Sequence, residues 1–364
     1  MTAQRIRVVL GGGGGVVARH FGRDLYTPAG QIKLDGLDGE LVGHFERWLS
    51  LRERDWTREE IASFGRLLHR CLFPPSDGVW AKLQQWIREA DEPVRLTLQL
   101  PTGRDMAYLA AIPWEYLHTT GPGGYFLAAD PRIVLSRWAP TARPAESMPA
   151  LTRISILPVV SDPSPDKLGP VDADQVLETL TELGNDPRFD VRPVALNRDV
   201  DQLRSAVATT EPDVVHFVGH GRFSREAGGG LAMVRAGGIG WEWVEAGRVA
   251  AAFAPTGHRP RVVVLHTCEG GIADTTYRFA GLAPELIKLG VQCVIAMQYP
   301  IRNDTAQLFS TTLYAQLATG RPLDEAVQGC REVLSTKPRL LGLPVLYQNR
   351  ADPLLIQRGE EVSP

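Results

Sequence analysis

The sequence predicts an α/β protein: a mainly parallel six-stranded sheet with helices on both faces, preceded by a smaller α+β domain. Three observations carry this expectation. From Arg153 onward, strand-like and helix-like segments alternate regularly. The strand-like segments are continuous apolar runs, such as Val262-Val263-Val264-Leu265, as expected of strands buried on both faces. Near residue 140 the texture changes, and Pro140, Pro144 and Pro149 mark a linker. The expected boundaries are 1–140 for the first domain, 141–150 for the linker and 151–358 for the second domain. A chain of 364 residues is comfortable for two domains, and a hydrophobic fraction of 44% can fill both cores.

In the first domain, Ile6 to Leu10 reads as a strand running into Gly11 to Gly15. That glycine run lacks the Lys-Ser/Thr ending of a phosphate loop, and Val16 occupies the third glycine position of a dinucleotide fingerprint. A hairpin tip is therefore expected. Leu37 to Ala90 carries Phe45, Trp48, Leu49, Leu83, Trp86 and Ile87 at helical spacing, broken by Pro74-Pro75 into at least two helices. Val94 to Leu100 alternates at period two, and Ile133 to Leu135 supplies a further strand after the turn at Gly121 to Gly124. Trp114-Glu115 is expected in a core turn.

In the second domain, strands are expected at Ile154 to Val160, Val191 to Leu196, Val214 to Val218, Val262 to Leu265, Val291 to Met297 and Pro344 to Tyr347. Helices are expected at Asp172 to Leu183, Asp199 to Ala208, Trp241 to Phe253, Phe279 to Leu289, Thr305 to Leu317 and Leu323 to Leu334. Gly228 to Gly230 and Gly237-Gly238 flank Leu231 to Val234 and predict a mobile hairpin beside His220, suited to a lid or clamp. No repeat of 20–50 residues is visible.

Composition excludes several function classes. The 39 basic and 42 acidic residues nearly balance, and no basic stripe stands out, so nucleic acid is not an expected partner. The apolar runs are strand-length, well short of the ~20 residues of a membrane span. Residues 1–20 lack the pattern of a secretory signal, so a cytoplasmic protein is expected. Four widely spaced cysteines without a C-x-x-C predict neither a disulfide framework nor a zinc ribbon. Cys71, Cys293 and Cys330 are expected to be structural. No cofactor is expected, and no metal. His216, His220, His266 and Cys268 invite a zinc site, but residues four apart on a strand lie ~13 Å apart, too far for one ion. His216 and His266 are expected as satisfied histidines inside the sheet.

In open α/β sheets, ligands sit at the carboxyl ends of the strands. One strand here ends in Val218-Gly219-His220-Gly221, and the next in Leu265-His266-Thr267-Cys268-Glu269-Gly270-Gly271. An isolated thiol is mostly protonated at neutral pH and needs a base, which an imidazole on the neighbouring strand end would supply. Their separation, near 50 residues, matches the His-to-Cys spacing of caspases.

These two motifs resemble the CHAT-domain branch of caspase-like cysteine peptidases. The resemblance covers roughly residues 151–358. Ile112-Pro113-Trp114-Glu115-Tyr116-Leu117 is in addition similar to a segment that precedes the peptidase domain in bacterial CHAT proteins. The family usually has a Trp where this chain has Gln298 or Tyr299. What the resemblance implies is a caspase-like sheet and a cysteine endopeptidase. Cys268 would be the nucleophile and His220 the base, oriented by main chain. The N–H groups of Gly221 and Cys268 would form the oxyanion hole. Asp304 would line a pocket for Arg or Lys before the scissile bond, with Asp162 and Glu269 as further candidates for that pocket. The resemblance also implies a protein or peptide substrate, a latent site, and a separate activator or sensor protein in a bacterial signalling or defence module. The first domain would be its docking surface. Two other classes fit the same fold: a catalytically silent adaptor that binds partners, and a different thiol-dependent hydrolase or transferase.

Overall fold

The computed structural model describes residues 5–10, 16–20, 23–26, 56–73, 78–100, 112–139, 141, 148–224, 228–267, 282–299, 301–349 and 355–357. The chain divides into two compact units, Met1–Pro140 with Arg331–Val345, and Thr141–Cys330 with Leu346–Pro364.

The first unit holds β1 (Arg5–Leu10), β2 (Val16–His20), β3 (Arg23–Tyr26), α1 (Arg58–Leu72), α2 (Val79–Glu89), β4 (Val94–Gln99) and β5 (Ile133–Trp138). Its sheet runs β3-β2-β1-β4-β5 and is mixed. β1 pairs antiparallel with β2, whereas β1–β4 and β4–β5 are parallel. Leu10 lies opposite Val16, so the glycine run joins a hairpin, though the run itself lies outside the described residues. So do Pro74-Pro75 and the part of the helical region before Trp56.

α1 starts at a reciprocal cap: Thr57 Oγ1 accepts from the Glu60 N–H, and the Glu60 carboxylate accepts from the Thr57 N–H. Its buried stripe, Ile61, Phe64, Leu68 and Leu72, follows the helical period. Gly65 on that stripe is required: a Cβ there would collide with the Tyr116 carbonyl oxygen. The turn Trp114–Tyr116 is fully buried, as expected, and its Glu115 accepts from Arg137 Nε at 2.9 Å. Residues 331–345 join this unit through contacts to the same turn and to β5. The Tyr116 hydroxyl donates to the Arg339 carbonyl, and buried Arg331 donates to the carbonyls of Leu135 and Pro344.

The second unit carries β6 (Ile154–Ser161), α3 (Asp174–Leu183), β7 (Phe189–Val191), β8 (Ala195–Leu196), α4 (Val200–Thr210), β9 (Val214–Gly219), β10 (Gly221–Ser224), β11 (Gly228–Val234) and β12 (Trp241–Glu245). It continues with α5 (Ala246–Phe253), β13 (Val262–Thr267), α6 (Leu282–Lys288), β14 (Cys293–Met297) and α7 (Asn303–Ala318). α8 (Leu323–Leu334) and β15 (Pro344–Gln348) cross the boundary between the units. The main sheet runs β14-β13-β9-β6-β7, with β8 also on β6, and these pairs are all parallel. α3 packs on α7, and α4, α5 and α6 pack in series, so helices flank a mainly parallel sheet.

Two expectations are corrected. The strand expected over 191–196 is two short strands, and a proline explains the break. Ile154 donates to Arg188, while Ile156 and Val160 accept from Arg192 and Asn197, so the even residues of β6 face the β7/β8 side. Pro158 belongs to that set and has no N–H to donate. The gap between β7 and β8, which holds Pro193, falls opposite it, so no ladder bond toward β9 is lost. The helix expected at Trp241 begins only at Ala246. Trp241 to Glu245 form β12, which completes a three-stranded antiparallel ribbon β10-β11-β12. The glycines at 237, 238 and 240 all have positive φ and make its tight turn.

Candidate active site

The parallel register sets the carboxyl edge of three neighbouring strands at one level. Gly219, the last residue of β9, pairs with Ser161 of β6 on one side and Thr267 of β13 on the other. The next residue on each chain is Asp162, His220 or Cys268. Strands in a sheet lie ~4.8 Å apart, so the register brings Ser161, Gly219 and Thr267, the last residues of their strands, to one edge. Cys268 and Glu269 themselves lie outside the described residues.

Glycine is needed at the turning point. A Cβ on Gly219 would lie 2.7 Å from Cζ of Phe217 and 2.9 Å from the Ser161 carbonyl oxygen. The close approach of β9 to β6 thus depends on a residue without a side chain.

His220 is 2% exposed and is held at both ends. Its carbonyl accepts from the Ala232 N–H of β11 at 3.0 Å. Its ring Nε2 lies 3.0 Å from the Gly169 carbonyl oxygen. A carbonyl can only accept, so Nε2 carries a proton in this contact. Gly169 ends the short helical turn Pro165–Leu168 with φ +79 and ψ 156, a conformation natural only to glycine, and Pro170 follows it. Sequence reasoning missed Gly169; a glycine-proline pair closing a turn was the available signal. β11 is tied to the same edge by Ser161 Oγ, which donates to the Ala232 carbonyl at 2.8 Å. Gly221 is the buried first residue of β10, opposite Leu231.

The acidic candidates differ in surroundings. The Asp162 N–H donates to Asn197 Oδ1 at 2.7 Å, while its own Oδ1 is buried with no hydrogen bond among the described residues. Asp304 stands in the first turn of α7, just past β14, with its side chain 57% exposed. It caps the Thr305 N–H at 2.7 Å and lies 3.5 Å from Arg302 Nε.

Beneath the edge sits a buried layer of imidazoles. His216 Nδ1 lies 2.8 Å from the Tyr314 hydroxyl, while its Nε2 has no hydrogen bond among the described residues, so the expected satisfied histidine is satisfied at one nitrogen only. His266 meets His216 edge to face with ring centroids 4.7 Å apart, and Phe309 likewise at 5.5 Å. Contrary to expectation, neither His266 nitrogen has a hydrogen-bond partner among the described residues. Burial pushes the His266 pKa down to about 3 and that of His216 well below the usual range, so both are neutral. The three described cysteines offer no alternative nucleophile. Cys293 and Cys330 are buried, and burial pushes the Cys71 thiol up to about 11. Among the described residues, no group of three or more His, Cys, Asp or Glu side chains could hold a metal ion, and no helix is long and apolar enough to cross a membrane.

The mainly parallel sheet presents a Gly-flanked histidine at the end of β9. The chain belongs to the CHAT domain family, whose match spans residues 63–353. No curated protein matches it. Among solved structures it is similar to separase in the Saccharomyces cerevisiae separase–securin complex, with 11% identity and a TM-score of 0.41 over 74% of this chain and 16% of that one. It is similar to the Arg-specific cysteine proteinase gingipain R, with 9% identity and a TM-score of 0.46 over 98% and 78%. Caspase-1 from Spodoptera frugiperda shares 13% identity at a TM-score of 0.34 over 59% and 94%. The chain therefore spans about a sixth of the yeast separase chain.

Proposed function

We propose that the protein is a cysteine endopeptidase that cleaves protein substrates after a basic residue. The observation that carries this reading is the contact of His220 Nε2–H with the Gly169 carbonyl, one residue beyond the Gly219–Thr267 pair, which makes Nδ1 the ring nitrogen to act as base. In this mechanism Nδ1 takes the proton of the Cys268 thiol, and sulfur attacks the scissile carbonyl. The oxyanion is met by the Gly221 and Cys268 N–H groups. The tetrahedral species collapses as the imidazolium gives its proton to the leaving amine. Water, deprotonated by the same nitrogen, then hydrolyses the thioester and restores the thiol. Asp304 supplies the carboxylate for a substrate Arg or Lys, which must displace Arg302 from it; an exposed pair of that kind is worth ~0–1 kcal/mol and yields readily. The chain is latent in this reading, and a separate partner or ligand in a bacterial signalling or defence module activates it, with residues 1–140 as the docking surface for a partner.

The test is covalent labelling by an Arg-directed acyloxymethyl ketone peptide, comparing the natural chain with Cys268→Ala and Asp304→Ala. Labelling is expected to disappear in both variants. Loss only in Cys268→Ala would keep the peptidase and discard the basic preference. No labelling of the natural chain, alone or with candidate partners and small-molecule activators, would leave the silent adaptor.

A further inference from the structure

Beside His220, on the ribbon β10-β11-β12, lies an open cavity of about 520 Å³ that none of the catalytic steps uses. It is lined by Lys167, Arg222, Arg235, Trp241, Glu242 and Trp243, with Gly240 at its edge. The ribbon register explains the grouping. Arg222 opposes Gly230 of β11, which opposes Glu245 of β12, so Arg222, Glu245, Trp243 and Trp241 share one face, with Glu245 exposed and outside the cavity lining. The missing side chain at Gly230 lets the Arg222 guanidinium cross to the Trp243 ring, 4.9 Å from its centroid. Trp241 and Trp243 meet edge to face at 5.7 Å, and both are half-buried.

The charges of the described lining residues do not balance. Three cations face one carboxylate, and Glu242 already has Arg248 3.9 Å away. Among the described residues no carboxylate pairs with Lys167, Arg222 or Arg235. Three cations lining one cavity call for several anionic oxygens, more than one carboxylate provides, and two indoles call for a planar ring. The volume lies within the ~300–1,000 Å³ of small-ligand sites. We propose that the cavity binds a nucleotide-class ligand, a planar ring carrying phosphate, and that its occupancy fixes the position of His220.

The link to His220 runs along both elements that hold it. Lys167 lies two residues before Gly169, whose carbonyl orients the ring. Arg222 lies two residues after His220, on the strand whose ladder carries the Ala232 contact. A phosphate bridging Lys167 and Arg222 ties the turn to the ribbon with His220 between them. This regulatory half rests on the proposed peptidase function; the binding half does not.

The test is calorimetric titration of the whole chain with AMP and ATP, with adenosine and inorganic phosphate as part-ligands. Saturable binding of a nucleotide is expected, with either part-ligand at least about ten-fold weaker. The double variant Lys167→Ala/Arg235→Ala, at two exposed positions, should weaken nucleotide binding by a similar factor. The binding proposal is overturned by no saturable nucleotide binding up to millimolar concentration, by inorganic phosphate binding as tightly as AMP, or by an unaffected double variant. It is equally overturned if an acidic, aromatic peptide binds the same residues more tightly than the nucleotides. In parallel, the Arg-directed ketone should label the natural chain about ten-fold faster with nucleotide present. Binding without any change in that rate overturns the link to His220. Absence of labelling in every condition counts against the peptidase, while the titration still decides the site.

Discussion

Gly219→Ala isolates the geometry that places His220. The added methyl would sit 2.7 Å from Phe217 Cζ and 2.9 Å from the Ser161 carbonyl oxygen, against an ordinary contact of 3.4 Å or more. The ring must therefore give by about 0.7 Å and the carbonyl by about 0.5 Å. The carbonyl belongs to β6 and cannot swing aside, so β9 moves away from it. Forced insertion of a methyl into a packed core costs ~1–3 kcal/mol. His220 is the next residue and moves with the strand. A misplacement of ~1 Å costs about a hundred-fold in rate, so a shift of roughly half that predicts about a ten-fold loss. Urea unfolding measures the first effect, and the second-order rate of Arg-ketone labelling measures the second. Adding Phe217→Leu should recover part of the labelling rate, because it removes the ring contact and leaves the carbonyl one. A Gly219→Ala protein that unfolds and labels like the natural chain would refute the argument that β9 needs glycine there.

Glu115→Ala leaves the Arg137 guanidinium, 2% exposed, without the carboxylate it grips, and should cost ~3–5 kcal/mol of unfolding free energy. Glu115→Leu with Arg137→Met, matched in volume, should return most of it; a single variant within 1 kcal/mol of the natural protein counts against the buried pair. Burial holds His266 at about 3 and His69 at about 4, both below the 6.5 of a solvated imidazole. The unfolded chain therefore binds more protons as pH falls, so their contribution is complete above ~6.5 and is lost toward pH 4 and then 3, at up to ~1.4 kcal/mol per pH unit for each histidine. Urea midpoints between pH 7 and 4 should fall less steeply in His266→Leu than in the natural chain, and equal slopes would show that His266 protonates freely in the folded state.

What the sequence made legible follows from how local each signal is. The strands at β6, β9, β13 and β14 are apolar runs whose ends are marked by glycine or polar residues, and the motif at His220 sits where the run at β9 stops. Gly169 was invisible because its role depends on a contact 51 residues away along the chain. Trp241 to Phe253 read as one helix because a period-two segment, Trp241-Glu242-Trp243-Val244-Glu245, passes into an alanine-rich helix with no intervening proline, and the one glycine, Gly247, falls inside the helix rather than at its start. The break between β7 and β8 needed knowledge of which side of β6 carries Pro158, and that is a property of the register rather than of either segment. Asp304 was chosen for its place after the fifth strand, which the structure keeps; its exposure and the nearby Arg302 depend on the local turn of α7.

The parallel order of β6, β9 and β13 has a consequence for the birth of the protein. Ile156, Val214 and Val262 are neighbours across the sheet but lie roughly 50 residues apart in sequence. Each pairing must close a long loop before it is rewarded, so the edge bearing His220 forms late rather than segment by segment. A chain emerging from the ribosome has synthesised His220 and its ribbon well before β13 can dock against β9. The strand ends that lead into the residues proposed as base and nucleophile therefore come side by side only when the sheet is assembled, so the proposed activity should be absent from an unfinished or partly unfolded chain.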